Sequence, residues 1–156
     1  MLLSPGVATL YQTHRSTFKA LGWHPIDMEY QRDEHRVHLV VYHLIWCPKR
    51  RKPVLTGEVA TDCKVLIEAK CAERGWHVEQ LAIQPDHVHL FVRVWPKDSA
   101  AGVLKEVKGV TSHQLREKYP QIRKLPSLWT RSYFASTAGN VSQETIRRYI
   151  DAQKGL

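Results

Sequence analysis

The segment between Pro85 and Pro96 constrains the fold of this chain most strongly, because apolar residues occupy every second position along it. These apolar positions are Val88, Leu90, Val92 and Val94. Alternate side chains of a β-strand lie on opposite faces, so this pattern predicts a strand over 87–95 with one face packed against a core. The opposite face would carry His87, His89, Phe91 and Arg93. Two imidazoles on one face of a rigid strand lie close enough to bind one divalent ion, so His87 and His89 are candidates for a metal or phosphate site, where the simpler alternative is a pair of structural histidines.

The remaining secondary structure is predicted in the order β-α-β-β-α-β-α. The predicted elements are a strand over 37–46, a helix over 57–74, strands over 76–83 and 87–95, a helix from Asp98 or Ser99 to just before Pro120, a strand over 129–137, and a final helix capped by Ser142. The second and third strands are separated by only a few residues, which predicts an antiparallel hairpin. This order is typical of the α+β class, with a ferredoxin-like or RRM-like open antiparallel sheet and helices on one face.

The charge of the chain favours a polyanionic partner. Its 23 Lys and Arg outnumber its 15 Asp and Glu, giving a formal net charge of +8. Cations that contact phosphates release condensed counterions, although a soluble basic protein without such a partner fits the charge equally well. The densest basic run consists of Lys49, Arg50, Arg51 and Lys52. We predict phosphate contacts for this run, where the alternative is a solvated loop.

Cysteine usage and hydropathy bear on the compartment. The three cysteines, Cys47, Cys63 and Cys71, are odd in number and show no C-x-x-C spacing, which argues against a disulfide framework and a thiolate zinc site. They are predicted to be reduced and buried. The first residues lack the basic and apolar regions of a signal peptide, and no run approaches ~18 apolar residues. A cytoplasmic protein without a membrane span is therefore expected.

The predicted last helix offers further candidate site residues. Tyr149 and Gln153 are four positions apart, so both would project from one helical face. A tyrosine oxygen is a poor nucleophile at neutral pH, and a metal ion that polarises a phosphate compensates for this. The simpler alternative is a frayed terminal segment with Tyr149 merely buried. Tyr133 is the rival nucleophile, but it lies on a predicted strand without a similar Gln partner.

Five segments together resemble the single-tyrosine HUH transposases of the TnpA type, over roughly residues 29–153. Residues 85–90, Pro-Asp-His-Val-His-Leu, are similar to the His-hydrophobic-His signature of that family. The other matching segments are residues 42–49 as the opening strand, 104–109 in the second helix, 129–134 with 137–142 as the late strand and turn, and 146–153 as the catalytic helix.

The resemblance implies a DNA transposase that cuts and rejoins single-stranded DNA at hairpin-bearing element ends. It implies that His87, His89 and Gln153 bind Mg²⁺ or Mn²⁺ and that Tyr149 forms a 5′-phosphotyrosine with a free 3′-hydroxyl. A homodimer is expected, with no membrane or small-molecule partner. Lys108, in the second-helix segment, joins the predicted DNA contacts. The resemblance divides the chain into an N-terminal extension over 1–28, disordered or upstream of the true start codon, and an HUH transposase domain over 29–156.

Other functions fit parts of the pattern. A histidine-triad nucleotide-processing enzyme would need a third histidine where Phe91 stands. A non-catalytic RRM-like module would leave the histidine pair and Tyr149 unexplained and lacks the aromatic pattern of an RNA-binding sheet. A domesticated HUH nuclease acting on chromosomal repeat hairpins would share the same chemistry, and hairpin-forming ends flanking the gene would favour the transposase instead.

Overall fold

A four-stranded antiparallel sheet organises the domain. In the computed structural model, residues 31–32, 37–137 and 151 are described. Two short strands, β1 (Gln31–Arg32) and β2 (Val37–His38), pair with each other. The main strands are β3 (Val40–Trp46), β4 (His77–Gln84), β5 (His87–Val94) and β6 (Phe134–Thr137), in the spatial order β4-β5-β3-β6. The predicted α+β class with an open antiparallel sheet is confirmed, and β3 and β5 are its central strands.

The helices cover one face of this sheet and form the core with it. They are α1 (Gly57–Glu73), α2 (Ala100–Lys118) and the short α3 (Pro120–Arg123). The core side chains of β5 are the four apolar ones predicted from the alternation, and all four are fully buried. Helix α1 contributes Val59, Cys63, Ile67 and Cys71 to the same cluster, at intervals of four residues. The faces of β5 are therefore assigned as the sequence predicted.

Local sequence explains where the helices begin and end. Helix α1 ends at Glu73, and Gly75, one residue beyond the C-cap Arg74, has a φ of 72°, which glycine adopts at little cost. The amide of Gly75 donates to the Ala72 carbonyl and that of Trp76 to the Cys71 carbonyl, which satisfies two terminal carbonyls in a Schellman motif. At the start of α2, the Ser99 hydroxyl accepts a hydrogen bond from the Gly102 amide. Both boundaries agree with the prediction.

Two predicted strands are shorter in the structure. The first is interrupted at Leu39, between β2 and β3. The last was expected over 129–137 but pairs with β3 only from Phe134, while Trp129 forms an isolated bridge with Pro48. Between these contacts the Thr130 hydroxyl accepts a hydrogen bond from the Ser132 amide, a local turn that competes with the strand ladder. Tyr133 consequently lies outside a strand, and 39% of it is exposed.

All three cysteines are free and buried, as predicted. Burial raises the pKa of Cys63 to about 12 and, with the Glu68 charge, that of Cys71 to about 11. Burial and the Asp86 charge raise the pKa of Cys47 to about 11, against the opposing effect of Arg51 and Lys108.

We therefore expect none of the three thiols to react with an aromatic disulfide reagent at pH 8 within minutes, because less than about 0.1% of each would be thiolate. All three should react once the protein is unfolded in guanidinium. If the native protein released one equivalent of the reagent's aromatic thiol, one of these cysteines would have reacted, and its burial would be contradicted.

Candidate active site

The histidine pair lies on the face of β5 that points away from the helices. His87 pairs with Gln84 of β4, and His89 lies between Ala82 of β4 and Ile45 of β3. Both histidines are half-buried. Because they occupy a central strand that is hydrogen-bonded on both sides around His89, their backbone positions are fixed. The strand geometry thus brings the two predicted ligands together on one rigid surface.

Asp86 orients the first histidine. It stands in the two-residue Pro85-Asp86 connection between β4 and β5, and its Oδ1 lies 2.8 Å from Nδ1 of His87. Burial acts to raise the pKa of the Asp86 carboxyl, but hydrogen bonds from His87 and Arg51 outweigh it and hold the pKa below its ordinary value. An ionised carboxylate only accepts hydrogen bonds, so Nδ1 of His87 is the donor. With Nδ1 as the donor, the ring nitrogen of His87 that can bind a metal is Nε2, as in a carboxylate–histidine–metal arrangement.

The second histidine is packed against another imidazole. His43 of β3 stacks on His89 with ring centroids 4.1 Å apart and an interplanar angle of 15°. The edge of Phe91 meets His43 at 5.6 Å, so the stack is supported from a second side. Burial lowers the pKa of His43 to about 4. Burial, followed by the charges of His43 and His87, lowers the pKa of His89 to about 3. Both rings are therefore neutral near pH 7, the state that a metal ligand requires.

The predicted basic run forms a tight turn beside the histidine strand. Lys49–Arg51 is a short 3-10 turn, and Lys52 follows it in extended conformation. Arg50 and Lys52 are exposed, and Lys49 is partly buried. Arg51 differs from them because its guanidinium pairs with two carboxylates, Asp86 and Asp151. Phosphate contacts by all four residues remain a prediction. The guanidinium of Arg51 is already paired with the carboxylates of Asp86 and Asp151.

Lys108 of α2 lies near the connection that precedes β6. Its ammonium group donates a 2.8 Å hydrogen bond to the Thr130 carbonyl and lies 5.8 Å from the ring centroid of Tyr133. Burial lowers the pKa of Lys108, against an opposing effect of Cys47. The DNA contact predicted for Lys108 remains a prediction.

The aromatic side chains on and near the central strands, which could in principle stack on DNA bases, are mainly packing residues. Trp46 and Trp129 are buried and meet edge to face at 6.0 Å, and Phe91 is buried beside His43. Trp95 is partly buried. This agrees with the general tendency of aromatic residues at strand positions to pack in the interior.

Two predicted site residues, Tyr149 and Gln153, lie outside the described residues, as do the predicted cap Ser142 and the extension over 1–28. Within the described part of the chain there is no group of three or more His, Cys, Asp or Glu side chains placed to hold a metal ion. Asp151 is described, is helical and contacts Arg51. No helix among these residues is long and apolar enough to cross a membrane.

Sequence reasoning did not place three residues, Asp86, Arg51 and His43, beside the histidine pair. Asp86 carried a usable signal, because a carboxylate directly before a candidate ligand can reach its ring. Its partner Arg51 is 35 residues away in sequence, and no local pattern links them. His43 was noted only as part of a motif, since its contact with His89 depends on the register of β3 against β5.

Comparison with known proteins extends the description of this fold and site. Residues 36–153 match the family model described as transposase IS200 like. The ISDra2 transposase TnpA of Deinococcus radiodurans is 32% identical over 131 residues, which cover 82% of this chain and 94% of that protein. The IS200 transposase of Salmonella typhimurium is 24% identical over 115 residues, covering 72% and 75% of the two chains.

Solved structures share the fold. A crystal structure described as a candidate transposase of Deinococcus radiodurans R1 superposes with a TM-score of 0.75 at 28% identity, covering 81% of this chain and 99% of that one. A REP-associated tyrosine transposase bound to a REP hairpin has a TM-score of 0.50 at 16% identity, over 80% and 69% of the two chains, which is a likeness of fold.

These matches and the sheet topology define the chain as a DNA transposase, an enzyme of DNA recombination. More specifically, it belongs to the IS200-like family, the TnpA-type tyrosine transposases. The family resemblance seen in the sequence is thereby confirmed.

Proposed function

We propose that this transposase cuts and rejoins single-stranded DNA at hairpin-bearing element ends, with Tyr149 as its nucleophile. The observation that carries the proposal is the pair of imidazoles on one face of β5, with His89 neutral and the tautomer of His87 set by Asp86. Such a pair is suited to bind a divalent ion that contacts a phosphate group of the DNA. The ISDra2 relative is named a TnpA transposase, and a protein of similar fold is described as bound to a REP hairpin.

The proposed metal site consists of His87, His89 and Gln153. The donor set fits a divalent cation, because neutral imidazoles offer nitrogen lone pairs and an amide offers an oxygen. Mg²⁺ prefers oxygen ligands throughout, so two imidazoles favour Mn²⁺ over Mg²⁺ in affinity. When bound, such an ion would polarise the scissile phosphate and offset part of its negative charge.

The proposed reaction exchanges one phosphoester for another. The oxygen of Tyr149 forms a bond to the scissile phosphorus and releases its hydroxyl proton to solvent. The bond from phosphorus to the 3′-oxygen breaks, and that oxygen takes up a proton from solvent and leaves as a 3′-hydroxyl. The products are a 5′-phosphotyrosine and a free 3′-hydroxyl. Because the number of phosphoester bonds is unchanged, a second 3′-hydroxyl can reverse the step and join strands without ATP.

The basic turn and the assembly complete the proposal. Lys49, Arg50 and Lys52 flank the histidine strand and are suited to contact the DNA backbone, with Lys108 as a further contact. We propose a homodimer as the active assembly and residues 29–156 as the transposase domain, with residues 1–28 an extension.

Replacing Tyr149 with phenylalanine should abolish the covalent protein–DNA adduct and leave hairpin binding intact, because only the nucleophilic oxygen is removed. The substrate is single-stranded element-end DNA with Mn²⁺, labelled at the 5′ end in one sample and at the 3′ end in another. A 5′-phosphotyrosine retains the 3′ label on the protein and releases the 5′ label.

Tyr133→Phe is the matched control and should form the adduct at the wild-type rate. An adduct that persisted in Tyr149→Phe and disappeared in Tyr133→Phe would move the nucleophile to Tyr133. An adduct carrying the 5′ label would contradict the proposed polarity.

A further inference from the structure

Arg51 connects the histidine strand to the terminal part of the chain. Its Nε lies 2.6 Å from Oδ2 of Asp86, and its Nη1 lies 2.9 Å from Oδ1 of Asp151. The other oxygen of Asp86, Oδ1, contacts Nδ1 of His87 at 2.8 Å. Three polar contacts thus form a continuous path from Asp151 through Arg51 and Asp86 to a proposed metal ligand.

This path is largely shielded from solvent at its centre. The side chains of Arg51, His87 and Asp86 are 14%, 21% and 26% exposed, whereas that of Asp151 is 54% exposed. Ion pairs are screened less by salt where water is excluded. The geometry of the Arg51–Asp86 contact is consequently better fixed than that of an ordinary surface pair.

The backbone of the basic turn adopts a conformation that few residues favour. Arg50 and Arg51 have φ angles of 57° and 52°, and two consecutive non-glycine residues in the left-handed region persist only when their surroundings enforce it. Hydrogen bonds hold this turn, since the Lys49 amide donates to the Leu128 carbonyl and the Arg51 amide to the Pro48 carbonyl, and the segment after it is anchored where the Leu55 amide donates to the Pro85 carbonyl. The turn therefore presents Arg51 from a fixed position.

The chemistry of the side chain matches this position. A guanidinium has donors on several edges and can meet two carboxylates at once, whereas an ammonium group is a single point charge. Arg51 with Asp86 and Asp151 carries one positive and two negative charges, which makes the cluster unattractive to a phosphate. The contacts therefore favour an internal role for Arg51 over the DNA contact predicted from the basic run.

We propose that Arg51 is a positioning residue that holds Asp151, and with it the adjoining stretch of chain, beside the histidine strand by bridging Asp151 and Asp86. The inference rests on the proposed function, because Asp151 follows the proposed nucleophile Tyr149 by two residues. Two residues span at most about 7 Å, so the bridge limits where Tyr149 can lie relative to His87. Arg51 acts on the reaction through this placement and through the hydrogen-bond partner of His87.

The test is a double-mutant cycle on the rate of adduct formation with saturating DNA and Mn²⁺. Arg51→Ala and Asp151→Ala should each slow adduct formation about 10-fold, since a displaced nucleophile loses its alignment with the phosphate. The double variant should be no slower than Arg51→Ala, because both changes break one bridge. Arg51→Lys should be intermediate. The Kd for Mn²⁺ should be unchanged in Asp151→Ala, which a general loss of structure would not allow.

Matched controls separate this role from loss of charge. Arg74 pairs with Glu106, and Asp62 accepts a hydrogen bond from Lys118, both between elements on the helical side of the sheet. Arg74→Ala and Asp62→Ala should form the adduct at the wild-type rate. Wild-type rates in Asp151→Ala, or a double variant about 100-fold slower than wild type, would overturn the bridge. So would a loss of DNA affinity in Arg51→Ala with a smaller salt dependence, because that result identifies a phosphate contact.

A second measurement does not depend on catalysis. Hydrogen exchange of the peptide 144–153 should accelerate about 10-fold in both Arg51→Ala and Asp151→Ala and remain unchanged in Arg74→Ala, because breaking the bridge releases the chain around Asp151. Unchanged exchange in both variants would refute the inference. If the wild-type protein forms no adduct at Tyr149, the proposed function is wrong. If the wild-type protein forms the adduct and the Arg51 and Asp151 variants form it at the same rate, only the proposed bridge is wrong.

Discussion

Replacing His89 with alanine should lower the affinity for Mn²⁺ by at least about 100-fold and the rate of adduct formation by a similar factor at limiting Mn²⁺. His89 has a fixed place on a central strand and a ring held neutral, so its loss removes a proposed ligand that no neighbour among the described residues replaces in the same direction. His43 stacks face to face on it, and the nitrogen atoms of a stacked ring do not occupy the vacated position. His87→Ala should behave similarly.

The controls for this prediction distinguish a ligand from its support. Asp86→Asn should weaken Mn²⁺ binding by about 10- to 100-fold, since it changes the hydrogen bond that sets the tautomer of His87. His113→Ala removes an exposed imidazole on α2 and should have no effect. The measurements are electron paramagnetic resonance of free Mn²⁺ and single-turnover kinetics. Wild-type affinity in His89→Ala would exclude it as a ligand.

The metal-free protein should lose about 4 kcal/mol of stability between pH 7.5 and pH 5 through His43 and His89 together. Their pKa values, about 4 and about 3, lie below the ~6.5 of an unfolded histidine. The unfolded chain thus binds protons that the folded protein excludes. The stabilisation is fully present above pH 6.5 and is lost as the pH falls toward about 4. Each histidine accounts for about 2 kcal/mol of this loss at pH 5. That is substantial beside the total unfolding free energy of a domain, ~5–15 kcal/mol.

Guanidinium denaturation in EDTA at the two pH values measures this loss. His43→Phe retains a buried ring but has no titrating group, so the difference between the two pH values should shrink by about 2 kcal/mol. His113→Ala should leave the difference at its wild-type value. Carboxylates contribute equally in all three proteins, so the comparison isolates His43. A His43→Phe protein with the wild-type pH dependence would show that His43 is not buried in its neutral form.

Much of the fold follows from local patterns in the sequence. The apolar alternation over 88–94 and the four-residue spacing on α1 predict one strand and one helix with the correct buried faces, because both periods reflect the backbone geometry of a single element. The predicted strand over 129–137 was wrong at its start. There the pairing depended on a competing hydrogen bond of Thr130, which propensity does not report.

The candidate site likewise has features that follow from local sequence and features that depend on tertiary packing. The sequence by itself determined that His87 and His89 share a face, because alternation along a strand is a property of that strand alone. It also determined family membership, because the motifs occur in the family order. The tertiary structure alone decided that His43 stacks on His89, since this requires the register of β3 against β5. It likewise decided that Arg51 meets Asp86 and Asp151, 35 and 100 residues away. Contacts across such separations form only when the whole chain has packed, and for this reason no local pattern in the sequence predicts them.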